Sequence, residues 1–505
     1  MVELRFLGAA TTVTGSQFLL TTKRAKVLVD CGMFQGNPNE IEHNRAPLAY
    51  DPQTIDAVLL THAHLDHCGL IPHVVKQGMH APIFATAGTV ELAAVVLLDS
   101  GKLQEEFAER GARRGAQRAA RAASGDEEEA VASRDNTSEV RDPERAVLAQ
   151  GAAATTTIDE PLYTAAEAQS SLRFFHAIGY GAEIEVAAGV KATFLDAGHI
   201  LGSAMIRVVA NDGDGTPERI ILFSGDIGRP GTPIIRDPTV LTDADYVLME
   251  ATYGGREHDP QEEAVRILAE TVRAVASAKG VLLVPSFAIG RTQEVVFELD
   301  RLLSQKQIPK LPLYLDSPMA SKATDIYKRH REYFDAETRA LLARDDDPLD
   351  YPGAQITNDA EESKKIKVAP RPYMIVASNG MLTGGRVLHH LRNIVGDSAA
   401  TLLFVGYQGQ GTLGAHLQAG ATEIRLDGQT HEVRCRVISI SGFSAHADES
   451  ELLDWVGNFR RGTRRPKRVF IVHGDPPAEA ALEPKVRALG FDTHVPAWRE
   501  TVTLD

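Results

Sequence analysis

Short apolar runs that stop at polar loops alternate with helical periodicities along most of the chain. Met1 to Gly8 reads as a strand entering a turn. Lys26-Val27-Leu28-Val29-Asp30 and Ala57-Val58-Leu59-Leu60 read as buried strands, each ending at a polar loop. Helices are predicted over Gly69–Lys76 and in the Ala-rich stretch after Ala87. Further strands are predicted near Thr193-Phe194-Leu195 and over Arg219–Phe223. A second full unit follows, with a helix over Gln261–Ala278, a strand over Val281–Val284, a helix from Arg291, and strands over Leu313–Leu315 and Tyr373–Val376. The tail from Val437 to Asp505 adds more strand–helix units. Strands alternating with helices in this way predict α/β layers, and no solenoid-type repeat is present.

One stretch breaks the pattern. From about Phe107 to Glu160, arginines (Arg110, Arg113, Arg114, Arg118, Arg121) sit among Ala and Gly, followed by the acidic run Asp126-Glu127-Glu128-Glu129 and an Ala/Thr-rich segment. Few large apolar residues occur there, so the expectation is a solvated, partly disordered insertion rather than core.

Composition narrows the class. At 505 residues, 43% hydrophobic and 24% charged, the chain has the balance of a globular protein of two or three domains. No apolar run of about 18 residues is present to span a membrane, and the N-terminus lacks the pattern of a signal peptide. Three cysteines (Cys31, Cys68, Cys435) give no disulfide framework. A cytoplasmic location is the expectation. The net charge of −15 excludes a protein that coats nucleic acid through a broad basic surface, but not a nuclease whose metals and local arginines hold the phosphate.

The chemistry starts at Thr61-His62-Ala63-His64-Leu65-Asp66-His67. Three imidazoles and a carboxylate directly after an apolar strand can turn inward on one point, and they are the donors zinc accepts when it keeps a position open for water. Further donors stand at later strand ends: His199 in Gly198-His199-Ile200-Leu201-Gly202, and Asp226 in Ser224-Gly225-Asp226-Ile227-Gly228. An Asp after Gly is ordinarily a turn residue, so each gains weight only beside the first cluster.

Asp30, the His62–His67 cluster, His199 and Asp226, in that order, resemble the metallo-β-lactamase superfamily. Glu250 in Met249-Glu250-Ala251-Thr252-Tyr253-Gly254, His446 in Gly442-Phe443-Ser444-Ala445-His446, and His473 in Val472-His473-Gly474 narrow the resemblance to its β-CASP branch of nucleases. The runs Pro285 to Glu294 and Gly380 to Arg386 agree. The resemblance spans nearly the whole chain except the insertion. One departure is Asp475 after His473-Gly474, where Glu is usual, which leaves the histidine intact.

What the resemblance implies is specific. The fold would be a four-layer αββα metallo-β-lactamase fold with an inserted α/β β-CASP domain. The first part would cover residues 1–243 (with the insertion at about 107–160), the β-CASP domain 244–436, and the returning part 437–505. Two Zn2+ per chain would be held by His62, His64 and His199 on one side and Asp66, His67 and His473 on the other, with Asp226 bridging. Asp30 would orient a ligand or the histidine loop, with a plain turn role as the alternative. His446 would be the general acid, hydrogen-bonded by Glu250, and Ser444 would hold a phosphate oxygen.

Arg256, Arg291 and Arg386 are candidate phosphate contacts, each with an intradomain ion pair as its alternative. Tyr253 could stack on a base or pack in the core. The activity would be zinc-dependent ribonuclease cleavage. A histidine at position 473 goes with RNA enzymes of the branch, whereas its DNA-processing members carry an apolar residue. Single-stranded RNA is the expected partner, with no membrane association, and a homodimer stays open. Two competing functions remain: another hydrolase of the same superfold (a thioesterase or lactonase), which would not need Glu250, His446, His473 or the inserted domain, and a non-catalytic RNA-processing subunit, which would lack some ligands.

Overall fold

The computed structural model describes residues 2–505 except 37, 124–159, 214, 345, 358, 407 and 410. Two seven-stranded sheets form the main body. In spatial order the first comprises Thr501–Leu504, Val2–Phe6, Phe18–Thr21, Lys26–Val29, Ala57–Leu59, Ile83–Thr86 and Phe175–Ile178. The second comprises Thr493–His494, Arg468–Val472, Tyr246–Glu250, Arg219–Phe223, Ala204–Ala210, Val190–Asp196 and Glu183–Ala187.

The side-chain period of two sorts each strand between two cores. Val27 and Val29 join Phe223, Leu248 and Phe470 in the core between the sheets, while Leu28 faces outward to Ile71, Val74 and Leu92. On the second sheet Phe470 and Val472 point inward, and Val469 and Ile471 pack on Leu452, Val456 and Leu482 of the helices Glu449–Gly457 and Pro476–Ala488. Strands buried on both faces explain the unbroken apolar runs, and the result is the expected αββα sandwich.

The chain closes this sandwich from far away in sequence. Thr501–Leu504 pairs antiparallel with Val2–Phe6, and Arg468–Val472 enters the second sheet beside Tyr246–Glu250 in parallel. Between those two strands the chain builds a third sheet of six strands, in the order Ala354–Ile356, Leu313–Asp316, Tyr373–Ala377, Val281–Pro285, Thr401–Phe404 and Arg436–Ser439. Its pairings are all parallel, and its two faces again split alternate residues between separate cores. It is not a free appendage. Ile289, Phe297, Ile326 and Tyr327 share a core with Ile200 and Leu201 of the main body.

The insertion differs from expectation in its first part. One helix runs from Ala87 to Ala123, so residues 107–123 are helical rather than irregular. Ala and Arg are strong helix formers, and extending a helix already nucleated over Ala87–Phe107 adds one hydrogen bond per residue without a new nucleus. The rest of the insertion, 124–159, lies outside the described residues.

Candidate metal centre

The parallel strands of both sheets deliver the chemistry at their C-terminal ends, where α/β folds place their ligands. Asp30 follows Lys26–Val29, the histidine cluster follows Ala57–Leu59, Asp226 follows Arg219–Phe223, Glu250 ends Tyr246–Glu250, and His473 follows Arg468–Val472. His199 stands in the hairpin between Val190–Asp196 and Ala204–Ala210. His62 and His64 lie on extended chain, whereas Asp66 and His67 sit on the helical turn Leu65–Cys68, which carries them to the far side of the cluster. Gly32 lets the neighbouring loop pass behind that turn, since a Cβ there would lie 1.6 Å from the Asp66 carbonyl oxygen.

Among the described residues two histidine-rich groups of donors, joined by the Asp226 carboxylate, stand beside a third that Asp226 forms with Glu250 and His446. In the first, His64 Nδ1 lies 3.1 Å from His62 Nε2 and 3.2 Å from His199 Nε2, and Asp226 Oδ2 lies 3.4 and 3.5 Å from those two Nε2 atoms. Around a tetrahedral ion with bonds of about 2.0–2.1 Å, ligand atoms stand about 3.3 Å apart, so these separations fit zinc. In the second, His67 Nε2 lies 3.1 Å from His473 Nε2 and 3.2 Å from Asp226 Oδ1, and Asp66 Oδ2 lies 3.8 Å from His473 Nε2. Asp226 thus turns one oxygen to each group. It is buried, and its Oδ1 has no hydrogen-bond donor, as a metal-facing oxygen would not.

Neighbouring atoms fix which nitrogen each imidazole presents. His67 donates its Nδ1–H to Asp30 Oδ2 at 2.7 Å, and His199 donates its Nδ1–H to the Ala445 carbonyl at 3.2 Å, which frees both Nε2 atoms. Asp30 also accepts from the Thr61 N–H at 2.8 Å, the Thr61 hydroxyl and the Ser16 hydroxyl. Asp30 therefore ties the end of one strand to the histidine loop of the next. Asp30 and His473 take φ of 57° and 53°, a left-handed conformation that costs a non-glycine residue about 1–3 kcal/mol and concentrates at functional sites.

Electrostatics divide the groups. Burial, reinforced by the neighbouring imidazoles, lowers His62, His64 (to about 3) and His199, which keeps them in the neutral form that binds metal. Burial alone would raise Asp226, but His473, His67 and His62 around it hold its carboxyl well below the usual range. Burial also acts against the charge on His67 and His473, yet the carboxylates facing them raise both. Five imidazoles and two carboxylates converging in this way are a donor set for cations.

His446 borders the first group from the other side, with Nε2 3.9 Å from Asp226 Oδ2. It donates its Nδ1–H to Glu250 at 3.1 Å. Burial by itself would lower this imidazole, and the carboxylates of Glu250 and Asp226 outweigh it and carry it up to about 9. Glu250 is saturated by further donors, the Ile227 N–H at 2.7 Å and the Thr252 N–H at 3.2 Å.

Several other candidates have partners within the chain. Ser444 is buried, and its hydroxyl oxygen accepts the His446 N–H at 3.3 Å. Arg291 is also buried and pairs with Glu294 one helical turn on, which removes it from the surface a phosphate would touch. Arg386 pairs with Asp316 at 2.7 Å, in a hub that also ties in Thr357, Ser363 and His390. Of the three arginines only Arg256 is exposed. Tyr253 is 7% exposed, and its ring meets His258 edge-on at 4.2 Å, which is core packing rather than a base platform.

The sequence reading missed His258. Its Nε2–H donates to the His446 carbonyl at 3.1 Å from 188 residues away, while its backbone N–H donates to Asp448. Its place five residues after Tyr253, in the same loop as Arg256, was the one available signal.

Comparison with known families and proteins agrees with this geometry. The metallo-beta-lactamase superfamily matches residues 10–93, the Beta-Casp domain 292–417, and the Zn-dependent metallo-hydrolase RNA specificity domain 430–496. A ribonuclease of Thermus thermophilus is 35% identical over 96% of this chain and 94% of its own length. A transcription termination factor of Methanosarcina mazei is 30% identical over 100% of this chain and 72% of its own. Among solved structures, a protein of unknown function from Enterococcus faecalis V583 covers the whole chain with a TM-score of 0.51 at 13% identity, a likeness of fold alone. With the donor cluster, the inserted third sheet and these matches together, the chain belongs to the β-CASP branch of the metallo-β-lactamase superfamily and is a metal-dependent hydrolase.

Proposed function

We propose that the protein is a ribonuclease that hydrolyses phosphodiester bonds of single-stranded RNA with two zinc ions per chain. The observation that carries the reading is Asp226, buried between two sets of donors with one oxygen toward each. His62, His64 and His199 would hold one ion and Asp66, His67 and His473 the other. Bound zinc lowers the pKa of water and neutralises charge on a phosphate.

The chain's own part is orientation and proton transfer. Asp30 holds His67 in one tautomer. His446, with Nδ1–H engaged by Glu250, keeps a proton on Nε2, the nitrogen that faces the cluster. That proton passes to the departing ribose oxygen, which is a poor leaving group as the bare alkoxide. The Glu250 carboxylate stabilises the imidazolium until the transfer and so acts as a positioning residue.

RNA as substrate is supported by the match to an RNA specificity domain over 430–496, which contains His446 and His473, and by the Thermus relative's name. A thioesterase or lactonase reading leaves the His446–Glu250 pair and the six-stranded inserted domain without a purpose. The test is metal-dependent turnover of matched single-stranded RNA, single-stranded DNA and a small thioester, with end-mapping of the products. Faster turnover of RNA, abolished by chelation and restored by zinc, is expected. Equal turnover of DNA, or thioester hydrolysis alone, would overturn the assignment.

A further inference from the structure

We infer that Phe287 is a stacking platform for a nucleobase close to the scissile phosphate, an inference that rests on the ribonuclease reading. Among the described residues Phe287 is one of few large apolar side chains at the surface, with 36% of it exposed. It stands two residues past Val281–Pro285, at the C-terminal edge of the inserted sheet.

Two routes connect it to the loops around the metal centre. Along the chain, Gly290 is three residues on, within about 10 Å of extended backbone. A Cβ on Gly290 would lie 3.0 Å from Ile200 Cγ2, so this turn abuts the residue that follows His199. Across the sheet, Val281–Pro285 pairs with Thr401–Phe404, which pairs with Arg436–Ser439. The ends of the outer two strands are therefore separated by about two strand spacings, near 10 Å. From the latter end the chain runs through Ser441 and Phe443 to His446. Phe287 thus lies three residues from the turn that abuts the His199 loop, on the same strand-end edge from which the chain leads to His446.

The ring is held rather than loosely exposed. The Phe287 carbonyl accepts the Thr292 hydroxyl at 2.7 Å and the Thr292 N–H at 3.1 Å. The ring rests on Gly380, where a Cβ would approach it to 3.1 Å, so the glycine is what lets it lie there. The Gly380 carbonyl is fixed in turn by Gln408 at 3.0 Å. A partly exposed aromatic packed on backbone suits a base of any identity, because every base has a π face. It would add affinity for single-stranded RNA without sequence preference, in a chain whose candidate arginines Arg291 and Arg386 are engaged in ion pairs.

The test pairs protein variants with single abasic riboses moved through the positions flanking the cleavage site of a labelled oligoribonucleotide. Zinc content and melting temperature serve as controls of the fold. Phe287→Ala should raise KM roughly tenfold or more with kcat little changed, while Phe287→Trp and Phe287→Tyr stay near wild type. Phe287→Leu, which keeps the apolar contact on Gly380 without a π face, should behave like the Ala variant. At one abasic position the wild type should lose the same factor, and Phe287→Ala should lose nothing more. Wild-type KM for Phe287→Ala, or abasic and Ala effects that multiply at every position, would overturn the inference while leaving the ribonuclease reading in place. A wild-type protein that cleaves no RNA would remove both.

Discussion

Three side chains decide the proposed chemistry once the ligands are set: His446, Glu250 and His258. Replacing His446 by Ala should leave both metals bound and RNA binding intact, and cut single-turnover cleavage about 10²–10⁴-fold. Loss of zinc from that variant would make His446 a ligand instead. Glu250→Gln keeps an oxygen for the Ile227 N–H but removes the charge that raises His446. The carboxylate favours the protonated imidazole, so its loss lowers that pKa, and the basic limb of the pH–rate profile should move to lower pH. An unmoved limb would detach Glu250 from the titration. His258→Ala should lower kcat several-fold with KM unchanged, because it frees the His446 carbonyl without touching the cluster, and Gln, which can restore a donor, should recover part of it. A shift in KM with constant kcat would point to a structural role alone. These three were not equally legible. His446 and Glu250 lie in short motifs that carry the β-CASP resemblance, whereas the His258 contact joins segments 188 residues apart and depends on how two loops meet. Arg291 was legible in its other sense, since Glu294 stands three residues on along a predicted helix, a spacing that pairs side chains.

Elements explain why the ligands were readable at all. Each sits where a short apolar run stops, and strands buried on both faces leave no ambiguity about where that happens: Val27, Leu28 and Val29 are all fully buried and Asp30 turns. The helical turn Leu65–Cys68 was hidden, since four residues carry no periodicity. The helix through residues 107–123 was hidden for the opposite reason, as it lacks the apolar stripe that marks packed helices. The Asp30 turn itself should be testable as an element. Asp30→Ala removes the acceptor for His67 Nδ1–H and unties the Thr61 loop from its neighbour strand. Zinc affinity measured by competition with a chromogenic chelator should fall about 10–100-fold. Unchanged affinity would return Asp30 to an ordinary turn residue.

At the scale of the molecule the donors come from both sheets. His62, His64, Asp66 and His67 follow a strand of the first, while His199, Asp226 and His473 follow strands of the second. The core between the sheets holds them face to face, and at this edge their loops meet through two backbone hydrogen bonds, Ala204 N–H to Thr61 and His473 N–H to Ala9, and through the cluster, where Asp226 contacts His62 and His67 across the gap. Metal bound there would clamp the two sheets, and any ligand that binds only the folded state stabilises it, by about 2.7 kcal/mol for a site at ~100-fold excess over its Kd. Removing zinc should therefore lower the melting temperature by several degrees, and adding zinc back should restore it. The loss of protection in amide exchange should concentrate at residues 30–32, 61–68, 225–228 and 473–474, leaving the centres of the strands unchanged. Asp226→Ala, which takes the bridging oxygens away, should melt at nearly the same temperature with or without chelator. A wild-type protein freed of metal, verified by elemental analysis, that melts at its original temperature would show that the sheets are held without any contribution from the metal.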